Sequence, residues 1–566
     1  MTIDVATVDQ APPQDTLVGR RSFLARAAAL AAVATGGPVI LPRVAYAAPP
    51  AIGVTRVPES AYSIPRPEAL ADITDLTVAE AAWLIRAGQL SPETLVEAYL
   101  DRIGAYEDTL QAFNLVLAEQ ALTTARSLKG VRPQGPLHGI PLGIKDNYYV
   151  RGLPTTANSY LFQNFVPPFD ATAVRRLTAA GGVVLGKTQM GPLATTRATT
   201  PNGILTTVNA WTPTDITTNP GGSSTGTATA VAGRLLTSGI GTQTGGSITG
   251  PSNAQNLTGI KPTMGRISLY GIIPLTYTRD HPGPMARDAK DAAIMLQAMA
   301  GEDPNDPRTQ GLPPVPDLIT AATPVRRGNR LEARWRTRIG VLPGYAAGDS
   351  VTAQARRAFL DVLAGTPGIT VVDVTLPPEW ELLTGSFNAV RLPERTEPFM
   401  PQLRTDLRSF GVSLTSWLQG ALMGGTEFIT GQRAKVLLLE RILEGMLTTA
   451  DVVVQTSAVP FDIVGLPELA LPIGVTAAGV PLGTIVGGLP FAEDRLLAVA
   501  AVYQAQTDWH LRRPVDPPGE KPPVTGVNAG PGRKPFKGRA SGRSGPAGAQ
   551  ASRGRIDAEQ AAEQSQ

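Results

Sequence analysis

Apolar and polar positions near the start of the globular part follow helical spacing. Residues 77–80 read Thr-Val-Ala-Glu, a capping box that predicts a helix closed by Gly88. Ser91 followed by Pro92 predicts a second helix, because a hydroxyl cap precedes a proline at the first helical position. The chain therefore enters its fold through two consecutive amphipathic helices.

Short β-branched runs recur further along, at 183–185, 339–342, 370–372 and 452–454. Continuous apolar runs of this length are typical of strands buried on both faces, and helical stretches separate them. The alternation predicts an α/β protein with a sheet covered on both sides. No repeat period is present.

The stretch richest in Gly, Ser and Thr runs from residue 219 to residue 251, in the middle of the body. We expect it to be a long irregular loop, and a long loop inside a compact domain is usually functional. Segment 181–188 formally matches the phosphate-loop pattern, but Val183, Val184 and Leu185 fill the space where a phosphate cradle needs flexible backbone. We therefore expect a buried strand there and no nucleotide site.

Composition narrows the chemistry. The 566 residues are 42% hydrophobic and 17% charged, with a net charge of +3, which is ordinary for a globular protein. Cysteine is absent, which removes thiol nucleophiles, thiolate metal sites and disulfides. His138, His281 and His510 lie far apart without metal-ligand spacing, so we expect structural roles and no metal.

The two ends of the chain differ from the body. Segment 19–24 reads GRRSFL, an alanine-rich apolar run follows, and Ala45-Tyr46-Ala47 fits a signal-peptidase site, a pattern that resembles a twin-arginine export signal cleaved after Ala47. An uncleaved anchor or a chance helix is the alternative. From residue 514 onward Pro, Gly, Ala, Ser and Gln dominate, which predicts a disordered tail. Its segment 533–555 contains Lys and Arg but no acidic residue. This charge indicates either a solvated flexible tail or a basic arm that contacts an anionic cell surface.

Three segments carry candidate chemistry: GPLHGIPLGIKDN at 135–147, GGSSTG at 221–226 and GTQTGGSI at 241–248. By themselves the two serine segments could be polar turns that need small residues. Lys145, however, ends an apolar run that predicts a buried strand. Burial lowers the pKa of a lysine ammonium, and the neutral amine can then serve as a general base. The G-x-S-x-G and S-x-x-K serine patterns are absent here.

These segments resemble the amidase signature family, whose enzymes use a Lys–cis-Ser–Ser triad; the match includes the 24-residue spacing between Ser223 and Ser247. The resemblance runs from about Ala71 to Pro514. It implies a single large α/β/α domain with a mixed central β-sheet over 71–513. On this division 1–47 is the signal peptide, 48–70 an N-terminal extension and 514–566 the tail.

Carried onto this sequence, the family pattern implies that Ser247 is the nucleophile that forms an acyl-enzyme. Ser223, after a cis peptide bond from Gly222, would relay the proton between Ser247 and Lys145, and Ser224 would support the site. The oxyanion hole would consist of the backbone N–H groups of Thr244, Gly245, Gly246 and Ser247.

The chain departs from the family pattern at Gln243, Thr249 and Thr225, where members commonly carry Asp, Arg and Gly. The first two changes can be linked, because removing both partners of an ion pair costs less than removing one. A neutral residue at position 249 resembles the peptide amidase and aryl acylamidase branch more than the transamidation subunits.

The sequence thus predicts an exported amidase, in the periplasm, the cell envelope or outside the cell, that hydrolyses a carboxamide or acylamide without cofactor or metal. We expect a small-molecule or peptide amide substrate, no nucleic-acid partner, and membrane contact only in transit during export. The aromatic residues in and beside 388–430 could line an acyl pocket or be plain core: Phe387, Phe399, Trp417 and Phe428. The alternative function is a catalytically silent cell-surface binding protein on the same scaffold.

Overall fold

The computed structural model describes residues 58–518. The expected export signal at 1–47 and the basic segment 533–555 lie outside the described residues. Within 58–518, none of the helices combines the length and the apolar character that crossing a bilayer requires.

One mixed sheet of eleven strands forms the centre of the fold, in the order β1-β3-β2-β4-β6-β5-β12-β13-β11-β9-β10, and β7 and β8 form a separate hairpin. The strands are β1 Phe113–Val116, β2 Pro141–Lys145, β3 Val183–Thr188, β4 Ser238–Gln243, β5 Thr258–Lys261, β6 His281–Ala286, β7 Val325–Arg327, β8 Arg330–Glu332, β9 Thr337–Val341, β10 Ile369–Asp373, β11 Val452–Gln455, β12 Glu468–Val475 and β13 Pro481–Gly488.

Helices separate most of the strands and pack against the sheet. They are α1 Pro67–Ala71, α2 Val78–Arg86, α3 Pro92–Leu110, α4 Ala118–Ser127, α5 Thr172–Ala179, α6 Thr225–Ala232, α7 Thr249–Ala254, α8 Ala289–Met299, α9 Leu318–Ala321, α10 Val351–Ala364, α11 Trp380–Gly385, α12 Phe387–Thr396, α13 Met400–Thr405, α14 Leu414–Leu422, α15 Gly425–Arg441, α16 Leu447–Thr449, α17 Val459–Ile463 and α18 Glu493–Gln504. Short 3-10 turns complete the fold at Glu59–Ala61, Ile73–Asp75, Tyr160–Phe162, Pro192–Ala194, Pro307–Thr309, Glu397–Phe399, Leu407–Ser413 and Trp509–Leu511, with a π turn at Ile442–Met446.

Every residue of β2 and of β4 is buried. Because successive side chains in a strand point to opposite faces, complete burial means that both faces of the sheet are covered. The fold is therefore the expected α/β/α arrangement around a mixed sheet.

Strands β2, β3 and β4 are parallel neighbours, so their carboxyl ends lie at one edge of the sheet. The register places Lys145, the last residue of β2, opposite Thr188, the last residue of β3. In open α/β sheets the carboxyl ends of parallel strands are where ligands bind. The candidate lysine thus stands at the edge where a site is expected.

The two helices predicted at the N-terminal end are both present. The capping box of Thr77 and Glu80 is formed in full, and Gly88 adopts a left-handed φ of 70° just past the end of α2. Ser91 accepts a hydrogen bond from the backbone N–H of Thr94 at the start of α3. Tyr99, on the inner side of that helix, is fully buried.

The expectation of one irregular loop over 219–251 was wrong. Helix α6 and strand β4 lie within it, and α7 begins there. The small residues are needed for packing rather than for irregularity. All eight residues of α6 are buried, and a Cβ on Gly226 would lie 2.3 Å from the carbonyl oxygen of Ala112.

Packed residues also lie outside the domain limits of 71 and 513 that the sequence predicts. Ahead of residue 71, Arg66 donates a 2.8 Å hydrogen bond to Glu80. Beyond residue 513, Asp516 accepts hydrogen bonds from Arg102 at 2.5 Å and from Arg234 at 2.6 Å. These ion pairs join residues near both ends of the described range to the body.

Candidate active site

Lys145 is fully buried, and its amine is surrounded by oxygen atoms. Its Nζ lies 2.8 Å from Ser223 Oγ and 2.9 Å from Ser224 Oγ. It also lies 2.8 Å from Thr242 Oγ1 and 3.3 Å from the Thr242 carbonyl oxygen. The structure therefore brings the predicted lysine and both serines of the first motif into direct contact.

Ser223 and Ser224 occupy the end of a loop that leads into α6. The peptide bond between Gly222 and Ser223 is cis, as the family resemblance implies. Both serine side chains are fully buried. Ser224 Oγ also lies 3.2 Å from the Thr242 carbonyl oxygen, to which its hydroxyl donates.

Ser247 lies in the turn between β4 and α7 and is 3% exposed. Its carbonyl oxygen accepts a 3.3 Å hydrogen bond from the backbone N–H of Ser224. The loop that carries Ser223 also packs closely against α7, since a Cβ on Gly221 would lie 2.4 Å from Pro251 Cα. The two serine motifs, whose serines are 24 residues apart, thus form one packed unit.

The turn ahead of Ser247 presents consecutive backbone N–H groups. Within residues 58–518, the hydrogen bonds use none of the N–H groups of Gly245, Gly246 and Ser247. Gly246 has a φ of 109°, a conformation that residues with a Cβ rarely adopt. These donors can therefore bind an oxygen atom brought in by a ligand.

The side chain of Gln243, at the end of β4, organises the turn that carries Ser247. Its Oε1 accepts hydrogen bonds from the backbone N–H groups of Ile248 at 3.0 Å and Thr249 at 2.9 Å, and from Thr249 Oγ1 at 3.2 Å. Its Nε2 donates to Glu468 Oε2 at 2.9 Å. All four contacts are buried.

Glu468 begins β12 and lies opposite Lys261, the last residue of β5. Its Oε2 is 3.8 Å from Lys261 Nζ, and both side chains are fully buried. Burial raises the pKa of Glu468 well above its usual value and lowers the pKa of Lys261. Lys261 also donates a hydrogen bond to the carbonyl oxygen of Leu466.

Asp280 holds the first residue of the predicted oxyanion segment. Its carboxylate accepts a hydrogen bond from Thr244 Oγ1 and two more from the backbone N–H groups of Leu275 and Thr276. Burial raises the pKa of Asp280 to about 6 against these hydrogen bonds. The carboxylate ties the Ser247 turn to the segment that precedes β6.

Behind Lys145, a buried ion pair joins β3 to the residue after β2. Lys187 Nζ lies 2.8 Å from Asp146 Oδ1, and the two side chains are at most 1% exposed. Asp146 Oδ2 accepts further hydrogen bonds from Asn114 and Thr156. This network fixes the backbone at the end of β2 and with it the direction of Lys145.

The aromatic residues expected as pocket or core belong mainly to packed clusters. Phe399 and Trp417 pack with Phe410 in one apolar cluster, and Phe387 belongs to another. Phe428 is half-buried. The interpretation as core residues is therefore confirmed for Phe387, Phe399 and Trp417.

No group of three or more His, Asp or Glu side chains with the arrangement of a metal site exists among residues 58–518. His281 is buried, its Nδ1 lies 2.6 Å from the carbonyl oxygen of Arg279, and burial lowers its pKa well below the usual value.

Sequence reasoning gave no role to Thr242, Glu468 or Asp280, all of which contact the candidate site. Thr242 stands inside the second serine motif, so its position was a usable signal. Glu468 lies 225 residues from Gln243 along the chain, and no local pattern announces that contact.

Comparison with known proteins decides the family. A family model described as Amidase matches residues 94–394. A glutamyl-tRNA(Gln) amidotransferase subunit from Chloroflexus aurantiacus is 33% identical over 79% of this chain and 99% of its own length. The chain belongs to the amidase signature family.

Solved structures agree with that assignment. The peptide amidase of Stenotrophomonas maltophilia is 30% identical with a TM-score of 0.68, over 77% of this chain and 98% of its own. A peptide amidase in complex with the competitive inhibitor chymostatin is 29% identical with the same TM-score, over 78% of this chain and 99% of its own. As a member of the amidase signature family, this chain is an enzyme that acts on carbon–nitrogen amide bonds.

Proposed function

We propose that this amidase hydrolyses a carboxamide or acylamide through an acyl-enzyme on Ser247, with Ser223 and Lys145 moving the proton. The observation that carries the proposal is the 2.8 Å contact between Lys145 Nζ and Ser223 Oγ in a fully buried site. An amine in such a place is a base only if it is neutral, and burial favours the neutral form.

The hydrogen-bond directions around Lys145 support this relay. A neutral amine has two N–H donors and one lone pair, and the amine has more than two oxygen neighbours. The hydroxyl of Ser224 already donates to the Thr242 carbonyl oxygen, so Ser224 can only accept from the amine. The hydroxyls of Ser223 and Thr242 remain as possible donors to the lone pair of Lys145, and the proposed relay uses that of Ser223.

The proposed reaction has two halves, acylation of Ser247 and hydrolysis of the acyl-enzyme. Ser247 Oγ attacks the carbonyl carbon as its proton passes to Ser223 Oγ, and the proton of Ser223 passes to Lys145 Nζ. When the tetrahedral intermediate collapses, the proton returns through Ser223 to the leaving nitrogen, which departs as ammonia or an amine. Water then attacks the acyl-enzyme, its proton passes through Ser223 to Lys145 and returns the same way to Ser247 Oγ, and the acid is released.

The turn around Ser247 supplies the electrostatic part of this proposal. The backbone N–H groups of Thr244, Gly245, Gly246 and Ser247 would hold the developing oxyanion. Within residues 58–518, no hydrogen bond uses the backbone N–H group of Gly245, Gly246 or Ser247. Loss of one such donor costs about 3–4 kcal/mol of transition-state stabilisation.

The relatives favour a second candidate, because one of them belongs to a glutamyl-tRNA(Gln) amidotransferase. An amidotransferase moves the amide nitrogen to an acceptor instead of releasing it to water. We place this chain with the hydrolases because position 249 is neutral, as in the peptide amidase and aryl acylamidase branch that it resembles. Ammonia release from glutamine that exceeds release from peptide amides would reverse this placement.

A panel of primary amides, peptide amides and anilides tests the substrate class, with Ser247→Ala as the inactive reference. We expect the parent to release acid and ammonia or amine from at least one class, and chymostatin to compete with a peptide amide. If Ser247→Ala hydrolyses the same amide as fast as the parent, the proposed nucleophile is wrong.

We also propose that residues 1–47 direct export through the twin-arginine route and are removed after Ala47. The adjacent arginines and the Ala45-Tyr46-Ala47 site support this proposal. N-terminal sequencing of protein collected outside the cytoplasm tests it, with Ala48 expected as the first residue. Replacing Arg20 and Arg21 with lysine should keep the protein inside the cell.

A further inference from the structure

Among the contacts of residues 58–518, Gln243 links the Ser247 turn to the buried acid at the start of β12 through a single side chain. One end of its amide meets donors only: two backbone N–H groups and the hydroxyl of Thr249. The other end meets Glu468 Oε2 at 2.9 Å. Both ends are fully buried, so water cannot substitute for a lost partner.

These partners fix which way the amide points. With the oxygen toward the turn, each end of Gln243 is satisfied. With the amide reversed, Nε2 would face the N–H groups of Ile248 and Thr249. A buried donor–donor contact of this kind is strongly unfavourable. The turn therefore sets the direction of the amide, and Glu468 anchors its Nε2 end.

Glu468 is itself held in place by the sheet. It lies opposite Lys261 in the β5–β12 ladder, and its Oε2 is 3.8 Å from Lys261 Nζ. The chain of contacts thus runs from the paired strands β5 and β12, through one carboxyl and one amide, to the two N–H groups directly after Ser247. A displacement of the amide would move the turn, and with it both the nucleophile and its N–H donors.

We propose that Gln243, anchored by Glu468, is a positioning residue that sets the geometry of Ser247 for attack. This inference rests on the proposed nucleophile and deepens it. It predicts that reactivity of Ser247 depends on the polarity of the Gln243–Glu468 pair and not only on the presence of two polar side chains.

The test is a polarity-swap cycle measured as the rate of Ser247 labelling by a fluorophosphonate probe. Gln243→Glu keeps the shape but places two carboxyl groups together, and we expect labelling to slow by about tenfold or more. Adding Glu468→Gln restores a donor–acceptor pair with the original total charge. We expect the Gln243→Glu, Glu468→Gln double variant to recover labelling to within about threefold of the parent. Turnover should change in kcat with little change in KM.

Gln504→Glu is the matched control. Gln504, the last residue of α18, is also a buried amide. It accepts a hydrogen bond from the backbone N–H of Ala289 and donates one to Thr258 Oγ1. We expect Gln504→Glu to lower the melting temperature and to leave labelling of the folded enzyme unchanged. If Gln243→Glu does not fold, Gln243→Met removes the same hydrogen bonds without adding charge and should show the same slow labelling.

The outcomes separate this inference from the proposed function. A parent enzyme that is not labelled, or a Ser247→Ala variant that is, contradicts the proposed nucleophile. A labelled parent together with normal labelling of folded Gln243→Glu or Gln243→Met overturns the positioning role alone. A double variant that labels no faster than Gln243→Glu also overturns it, because anchoring by residue 468 would then have no effect.

Discussion

Lys145 Nζ lies 2.8 Å from Ser223 Oγ, and both side chains are fully buried at the carboxyl edge of three parallel strands. The lysine comes from the end of β2 and the serine from the loop ahead of α6, so the contact joins the sheet to that loop. Proton transfer requires this distance, and exclusion of water favours the neutral amine that would accept the proton.

Removing the amine should abolish turnover. We expect Lys145→Ala to lower kcat by about 100-fold to 10,000-fold, the usual contribution of a general base. Lys145→Met fills most of the same volume without an amine, so it should lose as much activity while remaining more stable. Initial rates on one amide, with melting curves for both variants, provide the measurement. More than a tenth of the activity retained in either folded variant would count heavily against the relay.

Ser224 should be supportive and not essential. It accepts a hydrogen bond from Lys145 and donates to the Thr242 carbonyl oxygen, but Thr242 also contacts the amine directly. Ser224→Ala should therefore lower kcat about tenfold with KM unchanged, since one hydrogen bond to the base is lost. Steady-state kinetics beside Lys145→Ala provide the comparison. A loss as complete as that of the lysine variant would show that Ser224 takes part in proton transfer.

Gly226 should tolerate no side chain. A Cβ there would lie 2.3 Å from the Ala112 carbonyl oxygen and 2.5 Å from the Gln189 backbone nitrogen. We expect Gly226→Ala to lower the free energy of unfolding by about 1–3 kcal/mol or more, because backbone on both sides must shift. Urea denaturation measures this change.

Gly104→Ala is the control for that substitution. Gly104 lies inside α3, and beyond the neighbouring backbone of its own helix no atom lies within 4 Å of the added Cβ, so alanine should stabilise the protein by about 0.5–1 kcal/mol. Equal effects at Gly226 and Gly104 would contradict the close packing of α6.

Glu107 should make stability depend on pH. Burial raises its pKa from the usual 4.5 to about 8, and its Oε2 has no hydrogen-bond partner within residues 58–518. The unfolded chain loses this proton near pH 4.5, whereas the folded chain keeps it to about pH 8. The free energy of unfolding is therefore highest below pH 4.5. It falls by about 1.4 kcal/mol per pH unit as pH rises from 4.5 toward 8.

Glu107→Gln removes this ionisation while keeping an acceptor for the backbone N–H of Phe113. The variant should gain stability relative to the parent as pH rises from 4.5 to 8, as measured by urea denaturation at several pH values. A difference that stays constant across this range would show that Glu107 is not held protonated in the fold.

Local patterns predicted the parts of the fold that depend on neighbours in sequence. The capping box at Thr77, the strand that ends at Lys145 and the strand at 183–185 all follow from short-range chemistry. The 219–251 stretch was misjudged, because small residues that permit close packing of α6 resemble the small residues of a loop. Burial of a helix is a tertiary property that composition alone does not reveal.

The candidate site divides in the same way. Ser223, Ser247 and Lys145 stand in recognisable motifs, and the spacing of the two serines carried the prediction. The contacts of Gln243 with Glu468 and of Thr244 with Asp280 depend on which strands lie side by side, and the order of the eleven strands cannot be read from the chain. The sequence thus predicts which groups react, and the structure adds what holds them.

The most direct measurement is labelling with a fluorophosphonate probe, followed by peptide mass mapping of the adduct. We predict one adduct on Ser247 in the parent. Ser252→Ala, a control at a buried serine in the next helix, should give the same adduct. Ser247→Ala should remain unlabelled and inactive. A Ser247→Ala variant labelled as fully as the parent, or a parent adduct on another residue, would contradict the assignment of Ser247 as the nucleophile.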